Sequence, residues 1–395
     1  MAHCTHIARN FSGRVAESRI GFNMERQNHL DRQQTIHLGS FYTPSHIVQI
    51  VSRMLSNIIK SPREYILLDS ACGYGSFLQL QGFKRNIGVD IDKQALVCAA
   101  NHLRELQNQL TQPPLLLHKN ALHHVCRDNF KVLETENLVI VGNPPYNDRT
   151  SIVQNRLKDK DTCDIDSGLK ARDIGLSFLL SFNELQADFI CILHPLSYLI
   201  KPSNFRKLKN FVQHYRLIDS VLISSETFCP KSHSFFPIII ALYQKDMRGM
   251  DYHFIQNYRF RTLDGQSFCL NNFDFIAHYI DKYPNKKRVL ESQKIAMFYT
   301  MRDINALRRS KTFITKDCAN AVYVSYDKYS LYCYVDVFKM MLARVPYYLG
   351  NCDIPVDYPA FKKLESLFII ASETKKLSHE VREYFQNLLG EHYQQ

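Results

Sequence analysis

The sequence predicts an α/β fold in which helices cover both faces of a mostly parallel sheet. Short apolar runs alternate with stretches of helical spacing between about residues 45 and 245. Glycine-containing or polar motifs follow several of these runs. Parallel sheets of this type bind their ligands at the carboxyl ends of the strands. We therefore expect the functional residues in the turns that follow the strands.

The individual elements follow from this spacing. Thr43-Pro44-Ser45 supplies a helix start, and apolar residues then recur at helical intervals from Ile47 to Ile59. The predicted strands span residues 65–69, 86–90, 115–118, 138–141, 188–193, 217–223 and 236–243, and the last two form a hairpin. The predicted helices between them span residues 75–83, 93–110, 175–185 and 205–215, and one or two helices close the chain over 360–390.

Three regions are predicted along the chain. Residues 1–38 are polar, lack a clear period and form an N-terminal arm. Residues 39–248 contain the alternating pattern and form the main α/β domain. The alternation fades near residues 245–249, and residues 249–395 form a smaller second domain rich in Tyr, Phe, Lys and Arg.

The charge balance favours a polyanionic partner. The chain has 49 Lys and Arg against 38 Asp and Glu, which gives a formal net charge of +11. Basic proteins of this kind are typical of nucleic-acid binding. The alternative is a basic protein without such a partner.

Cysteine usage and hydropathy restrict the class further. The 11 cysteines are scattered without a Cys-x-x-Cys pair, which argues against a zinc ribbon and a disulfide framework. No metal is expected, and His3, Cys4 and His6 are the nearest approach to a ligand set. We find no signal peptide, and the longest apolar run, 235–243, is too short to cross a bilayer. These features predict a cytoplasmic protein that does not contact a membrane.

Two strand ends suit a cofactor with amino-acid and nucleoside moieties. The first strand ends at Asp69 and continues into a turn with Gly73 and Gly75, where glycine permits close approach of the backbone to a ligand. Asp69 is placed to hold an ammonium group. About 20 positions later Asp90 ends the next strand and suits ribose hydroxyls, while Ile91 can pack on an adenine ring. Asp92 is also a predicted helix N-cap.

A third motif, Asn143-Pro144-Pro145-Tyr146, follows the strand 138–141. The two prolines stiffen the turn and remove two backbone donors. The Pro144 carbonyl and the Asn143 side-chain oxygen offer two acceptors, and Tyr146 offers a flat face. This combination suits an exocyclic amine on a planar base. The alternative is a rigid turn that ends in a core tyrosine.

In these motifs and their order, residues 39–245 resemble the adenine-N6 DNA methyltransferases of restriction–modification systems. Residues 39–44, Gly-Ser-Phe-Tyr-Thr-Pro, resemble the cofactor-lid motif of that group. Residues 194–198, His-Pro-Leu-Ser-Tyr, resemble a later strand-end motif. Residues 227–230, Thr-Phe-Cys-Pro, resemble the segment whose aromatic residue stacks on the target base.

The resemblance implies a Rossmann-like sheet dependent on S-adenosylmethionine and assigns a role to each matching residue. The implied cofactor-binding residues are Thr43, Asp69, Ala71, Gly73, Gly75, Asp90, Ile91, Asn120 and Ala121. Many relatives have Asp at the position of Asn120. The implied catalytic residues are Asn143, Pro144, Pro145 and Tyr146, with Tyr146 and Phe228 stacking on a flipped-out adenine. The candidate DNA contacts of a target-recognition domain, residues 249–395, are Arg259, Arg261, Arg302, Arg308, Arg309 and Lys311.

The implied partner is double-stranded DNA, and a cognate restriction endonuclease acting separately is a further implied partner. The charged stretch 149–166 is expected to be a loop that orders on DNA. Two alternatives stay open. Asn-Pro-Pro-Tyr also occurs in enzymes that methylate a release-factor glutamine or a guanine of rRNA, and a non-catalytic nucleic-acid-binding subunit could use the same fold. Cytosine-C5 methylation is disfavoured because its Pro-Cys nucleophile is missing.

Overall fold

The computed structural model describes residues 43–106, 112–146, 164–171, 173–228, 235–299 and 303–395. Several predicted features lie outside the described residues, namely the arm 1–38 with His3, Cys4 and His6, residues 39–42 of the lid motif, residues 149–163, Cys229, Pro230 and Arg302.

The main sheet contains seven of the described strands: β1 (Tyr65–Asp69), β2 (Arg85–Asp90), β3 (Leu115–His118), β4 (Asn137–Gly142), β5 (Phe189–Pro195), β6 (Tyr215–Ser224) and β7 (Pro237–Lys245). Their order is β3-β2-β1-β4-β5-β7-β6. Strands β1 to β5 pair in parallel, whereas β7 runs antiparallel to both β5 and β6. The prediction of a mostly parallel α/β sheet with a final hairpin is confirmed.

Both faces of the sheet are buried, which explains why its strands are almost continuously apolar. Ile66 and Leu68 of β1 join an apolar cluster on one face, and Leu67 joins a cluster on the other. Ile47 and Val51 from the first helix cover the Leu67 face. The described helices of this region are α1 (Ser45–Ile58), α2 (Lys93–Glu105), α3 (Ile174–Glu184), α4 (Ser197–Ile200), α5 (Pro202–Phe205) and α6 (Lys209–His214).

The predicted helix over residues 75–83 is wrong, because the segment forms only a short 3₁₀ turn, Ser76–Gln79. The side-chain amide of Asn86 donates hydrogen bonds to the carbonyls of Leu78 (2.8 Å) and Leu80 (2.7 Å). A longer helix would need such carbonyls for its own ladder. Gly82 then adopts a φ of +88°, which also ends helical geometry.

The predicted helix over residues 205–215 is partly wrong. Helical structure begins earlier, at Pro202, and proline is favoured in the first turn because its missing N–H would be unpaired there. A 3₁₀ turn, Arg206–Leu208, separates α5 from α6. Tyr215 is already extended and opens β6, so the helix ends one residue before the predicted limit.

The remaining described elements are α7 (Tyr252–Asn257), β8 (Phe260–Arg261), β9 (Ser267–Phe268), β10 (Lys294–Tyr299), α8 (Ile304–Arg309), β11 (Phe313–Ile314), β12 (Ala321–Ser325), α9 (Tyr329–Met340), α10 (Tyr358–Lys363), α11 (Glu365–Thr374) and α12 (His379–Leu389). Strands β11, β10 and β12 form an antiparallel sheet. Three closing helices replace the predicted one or two, because the chain breaks at Leu364 and again at Lys375, whose φ is +58°.

The apolar core continues across the predicted boundary near residues 245–249. One buried cluster contains Leu222 and Tyr243 from the main sheet together with Phe260 and Phe338 from the later region. The division at residue 248 stays a prediction. Within the described ranges, no helix combines the length and the apolar character that a bilayer crossing requires.

Candidate active site

The carboxyl ends of β1 and β2 lie side by side and hold two carboxylates. Gly73 donates its N–H to one oxygen of Asp90 at 2.8 Å, and Asp92 donates to the other at 2.8 Å. Gly73 has a φ of +50°, and a Cβ atom there would meet nothing within 4 Å. The turn therefore leaves open space beside Asp90, as a bound nucleoside requires. Gly75, with a φ of +77°, starts the 3₁₀ turn that follows.

Asp69 is the buried carboxylate at the base of this space. Burial raises its pKa to about 8, the N–H of Ala71 at 3.2 Å opposes that rise, and the charge of Asp90 adds to it. Neither Asp69 nor Asp90 forms an ion pair with a described residue. A cationic ligand would supply the missing counter-charge. The ammonium and ribose hydroxyl groups of S-adenosylmethionine are donors that fit these two carboxylate acceptors.

The next residues along the chain also suit a nucleoside. Ile91 leaves 45% of its surface exposed beside Asp90, which is unusual for isoleucine and suits contact with an aromatic base. Asp92 caps α2 by accepting from the N–H groups of Gln94 and Ala95, so the predicted N-cap is confirmed.

Asn120 and Ala121 follow β3, where the resemblance implies contact with the cofactor adenine. Ala121 is buried. The Asn120 oxygen accepts from the N–H of Leu122 at 3.0 Å, and its amide donates to the carbonyl of Asp164 at 2.7 Å. Asn120 therefore fastens residue 164 to the end of β3. Its role at the cofactor stays a prediction.

Asn143 contains a buried acceptor that lacks a partner. Its amide nitrogen donates to the Thr43 hydroxyl at 3.4 Å, whereas its side-chain oxygen is buried without a hydrogen bond to any described residue. An unpaired buried acceptor costs roughly 1–3 kcal/mol. A donor group on a ligand would remove that cost. This hydrogen bond orients the Asn143 amide, and the cofactor role of Thr43 stays a prediction.

Gly142 precedes the Asn143–Tyr146 turn and lies close to the carboxylate of Asp69. Strands β1 and β4 are neighbours, with Asp69 opposite Val141. A Cβ atom on Gly142 would lie 3.0 Å from an oxygen of Asp69. Asn143 thus follows directly after a backbone position that has no room for a side chain beside Asp69.

Comparison with known proteins agrees with this arrangement. Residues 28–221 match the model of the family described as N-6 DNA Methylase. The chain is an S-adenosylmethionine-dependent methyltransferase. The resemblance predicted from the motifs is confirmed by this match, and S-adenosylmethionine is the cofactor. No curated protein sequence matches the methyltransferase at a significant level.

The methyltransferase is also similar to solved structures, at low sequence identity and with TM-scores below 0.5. A Listeria monocytogenes protein assigned to the class I S-adenosylmethionine-dependent methyltransferases is 18% identical, with a TM-score of 0.41 and coverage of 59% of this chain and 70% of that one. A type I restriction-modification methyltransferase subunit from Streptococcus thermophilus is 14% identical, with a TM-score of 0.40 and coverage of 59% and 48%. A DrdV–DNA complex is 15% identical, with a TM-score of 0.38 and coverage of 60% and 29%. The methyltransferase thus spans about half of the Streptococcus thermophilus subunit and less than a third of the DrdV chain.

Gly175, which lies against Tyr146, was not predicted from the sequence as a site residue. A Cβ atom on Gly175, in the first turn of α3, would lie 3.0 Å from Cβ of Tyr146 and 2.5 Å from the hydroxyl oxygen of Tyr198. Tyr198 donates a hydrogen bond to Asp173, which also caps α3. The N-cap signal of Asp173 was readable from the sequence, but its contact with Tyr198 was not.

His194, the first residue of the strand-end motif, packs against Tyr198. Its ring stacks on Tyr198 with centroids 5.4 Å apart. Burial lowers the pKa of His194 to about 4, so its imidazole is neutral. Nδ1 lies 2.9 Å from the Pro195 carbonyl and must donate to it, which leaves Nε2 to accept from the Tyr243 hydroxyl at 2.7 Å. His194 and Tyr198 of the strand-end motif are therefore both hydrogen-bonded, and Gly175 lies against both Tyr198 and Tyr146.

Tyr146 and Phe228, the predicted stacking pair, both pack against the cluster that contains Val141. Tyr146 also packs against the cluster on the other face of the sheet. Pro144 is buried and Pro145 is half-buried between Asn143 and Tyr146. The stacking role of both rings stays a prediction.

The predicted DNA-binding cations are exposed where they are described. These are Arg259, Arg261, Arg308, Arg309 and Lys311. Arg259 donates to Ser267 at 3.0 Å within the β8–β9 hairpin, and Arg308 donates to the Leu342 carbonyl at 3.0 Å. These two side chains therefore also have structural partners.

Proposed function

We propose that this methyltransferase transfers the methyl group of S-adenosylmethionine to the N6 amine of adenine in DNA. The observation that carries the proposal is the buried side-chain oxygen of Asn143, which has no hydrogen-bond partner among the described residues and follows Gly142, the residue that leaves no room for a Cβ atom beside Asp69. An exocyclic amine is a donor that fits this acceptor.

The chemistry needs acceptors rather than a nucleophilic side chain. The lone pair of the adenine N6 is delocalised into the ring, which makes the amine a poor nucleophile. Hydrogen bonds from the amine to Asn143 and to the Pro144 carbonyl would localise charge on nitrogen as the new N–C bond forms and the S–C bond breaks. The nitrogen releases one proton to solvent. Such preorganised acceptors stabilise the transition state without a covalent enzyme intermediate.

DNA is the substrate that the family match and the charge support. The matching family is described as a DNA methylase, and the net charge of +11 favours a polyanion. The amine lies inside the duplex, so the adenine must leave the helix. Tyr146 and Phe228 would then hold its two faces, and stacking on aromatic rings contributes roughly 1–3 kcal/mol per base. We further propose that the protein acts as the modification enzyme of a restriction–modification system.

Asn143→Ala tests the catalytic assignment. We expect DNA methylation to fall by at least about 100-fold, as for loss of a single transition-state hydrogen-bonding group, while S-adenosylmethionine still binds. Asn137→Ala is the matched control, because Asn137 is exposed at the opposite end of the same strand. Single-turnover methylation of DNA and calorimetric cofactor binding give the two readouts. Equal rates for the two variants would contradict the role of Asn143.

Tritiated S-adenosylmethionine separates this function from the alternatives. We expect label in DNA when DNA, a release factor and rRNA are offered in parallel. Label in release factor or rRNA alone would show that another planar nitrogen is the acceptor. DNA binding without any transfer would show a non-catalytic subunit.

A further inference from the structure

A cavity of about 820 Å³ lies beside the catalytic region, apart from the cofactor loops. One wall comes from residues 200–207 around α5, and the opposite wall comes from residues 252–283 and 351–353. Ligand pockets of roughly 300–1,000 Å³ enclose small organic molecules. A cavity of this size can hold a nucleotide, but it cannot hold a duplex.

The cavity is connected to the catalytic turn through a short chain of contacts. Asp173 lies on its wall and accepts a hydrogen bond from the Tyr198 hydroxyl. Gly175, two residues later, packs between Tyr198 and Tyr146. A ligand in the cavity would therefore lie within a few side chains of the proposed target-adenine site.

The lining offers aromatic rings together with amide groups. The aromatic residues on the wall are Tyr252, Phe273, Phe275 and Tyr283, and the amides are Asn204, Gln256, Asn271 and Asn351. The Asn351 side-chain oxygen is buried and has no hydrogen-bond partner in the described parts of the chain. Rings that stack and amides that accept and donate are the groups that recognise a nucleobase.

The charges on the wall suit one phosphate rather than several. Three lysines face two aspartates, Asp173 and Asp353. Lys201 pairs with Asp303, and Lys282 lies 3.7 Å from Asp353. Lys207 is exposed and makes no ion pair with any residue that the structure describes. One cation thus stays available at this wall, whereas a continuous phosphate backbone would contact several.

We propose that this cavity binds one nucleotide of the DNA substrate that flanks the target adenine and leaves the duplex with it. The base lies among the aromatic rings and amides, and its phosphate contacts Lys207. This inference rests on the proposed function, because it takes DNA as the substrate. It assigns recognition to the residues that line the cavity, and none of the arginines predicted from the sequence to contact DNA is among them.

Photo-crosslinking locates the nucleotide directly. The recognition sequence is first read from methylated DNA, and 5-iododeoxyuridine then replaces each base near the target adenine in turn. We expect one flanking position to crosslink, and peptide mass spectrometry should place the bond on Tyr252, Phe273, Phe275 or Tyr283. Crosslinks confined to other peptides, with methylation intact, would overturn the proposal.

Two lysine variants supply an independent readout. We expect Lys207→Ala to raise the KM for DNA by about 5-fold or more with kcat retained, and to lower the salt slope of DNA binding by about one. Lys209→Ala is the matched control, because Lys209 is exposed two residues later and is not on the cavity wall. Identical behaviour of the two variants would overturn the proposal.

The outcomes distinguish this inference from the proposed function. If the wild-type protein methylates no DNA, the proposed function fails, and the cavity assignment fails with it. If the wild type methylates DNA but neither crosslinks from the cavity nor responds to Lys207→Ala, only the cavity assignment fails. Saturable binding of free dAMP or TMP there, without a crosslink to DNA, would likewise contradict a DNA nucleotide as the occupant.

Discussion

At the residue scale, we expect Asp69 to couple cofactor binding to protonation. An unfolded aspartate has a pKa of 3.8, and burial raises the pKa in the folded protein to about 8. Between these values the folded state holds a proton that the unfolded state lacks. The contribution of Asp69 to stability is therefore fully present below about pH 4 and is lost as the pH rises through about 8. A cationic ligand reverses this preference because it favours the carboxylate.

S-adenosylmethionine should therefore bind more tightly as the pH rises from 6 to 8. If binding requires the carboxylate of Asp69, its affinity increases by up to about 10-fold per pH unit and levels off above the pKa. Titration calorimetry across this range measures the slope and the released proton. Asp69→Asn should bind weakly, show no such slope, and unfold less readily than the wild type at pH 8 without cofactor. A pH-independent affinity in the wild type would contradict this role.

Asn143 and Asp69 show how much of the candidate site could be predicted from the sequence. Each follows an apolar run at a strand end, so its position was predictable. The hydrogen-bond partner of Asn143 was not predictable, because Thr43 lies 100 positions away in the sequence. The burial of Asp69 was not predictable either, because it depends on the packed fold.

At the element scale, the first turn of α3 must lie close to the catalytic turn. Gly175 allows this approach because a side chain would overlap the Tyr198 hydroxyl and crowd Tyr146. The strands 65–69 and 115–118 were predicted with correct limits, since Glu64 and Ser70 flank the first run and Pro114 and Lys119 flank the second. The false helix at 75–83 had the right spacing, but Asn86 from the next strand takes its carbonyls. Local pattern cannot show such competition.

Gly175→Ala tests this close approach. We expect a lower kcat for methylation, because Tyr146 must shift, with little change in the affinity for S-adenosylmethionine. Overpacking of this kind costs typically 1–3 kcal/mol of stability, which thermal unfolding measures. Gly168→Ala is the matched control, because a Cβ atom on Gly168 would meet nothing within 4 Å. Unchanged kcat in Gly175→Ala would remove the positioning role.

At the scale of the whole molecule, the C-terminal region completes the core of the catalytic sheet. The hydroxyl of Ser220 on β6 donates to that of Tyr258 at 3.1 Å, and Leu222 forms a β-bridge with Thr262. Tyr347 donates to the Leu222 carbonyl at 3.4 Å. The basic composition of this region predicted a partner-binding role, but composition could not show that the same residues also cover the sheet.

Truncation after Arg248 tests this dependence. We expect the shortened chain to expose the β6 face, to bind a hydrophobic dye and to lose most of its affinity for S-adenosylmethionine. The chain contains no Trp, so tyrosine fluorescence and circular dichroism follow unfolding. A soluble fragment with full-length cofactor affinity would show instead that residues 249–395 form an independent unit.

The central claim is tested most directly by identifying the methylated product. DNA is incubated with the protein and methyl-labelled S-adenosylmethionine, digested to nucleosides, and analysed by mass spectrometry. We predict label in N6-methyldeoxyadenosine, with none after Asn143→Ala. Label in a cytosine derivative, or in no DNA nucleoside while RNA or protein is labelled, would contradict the account.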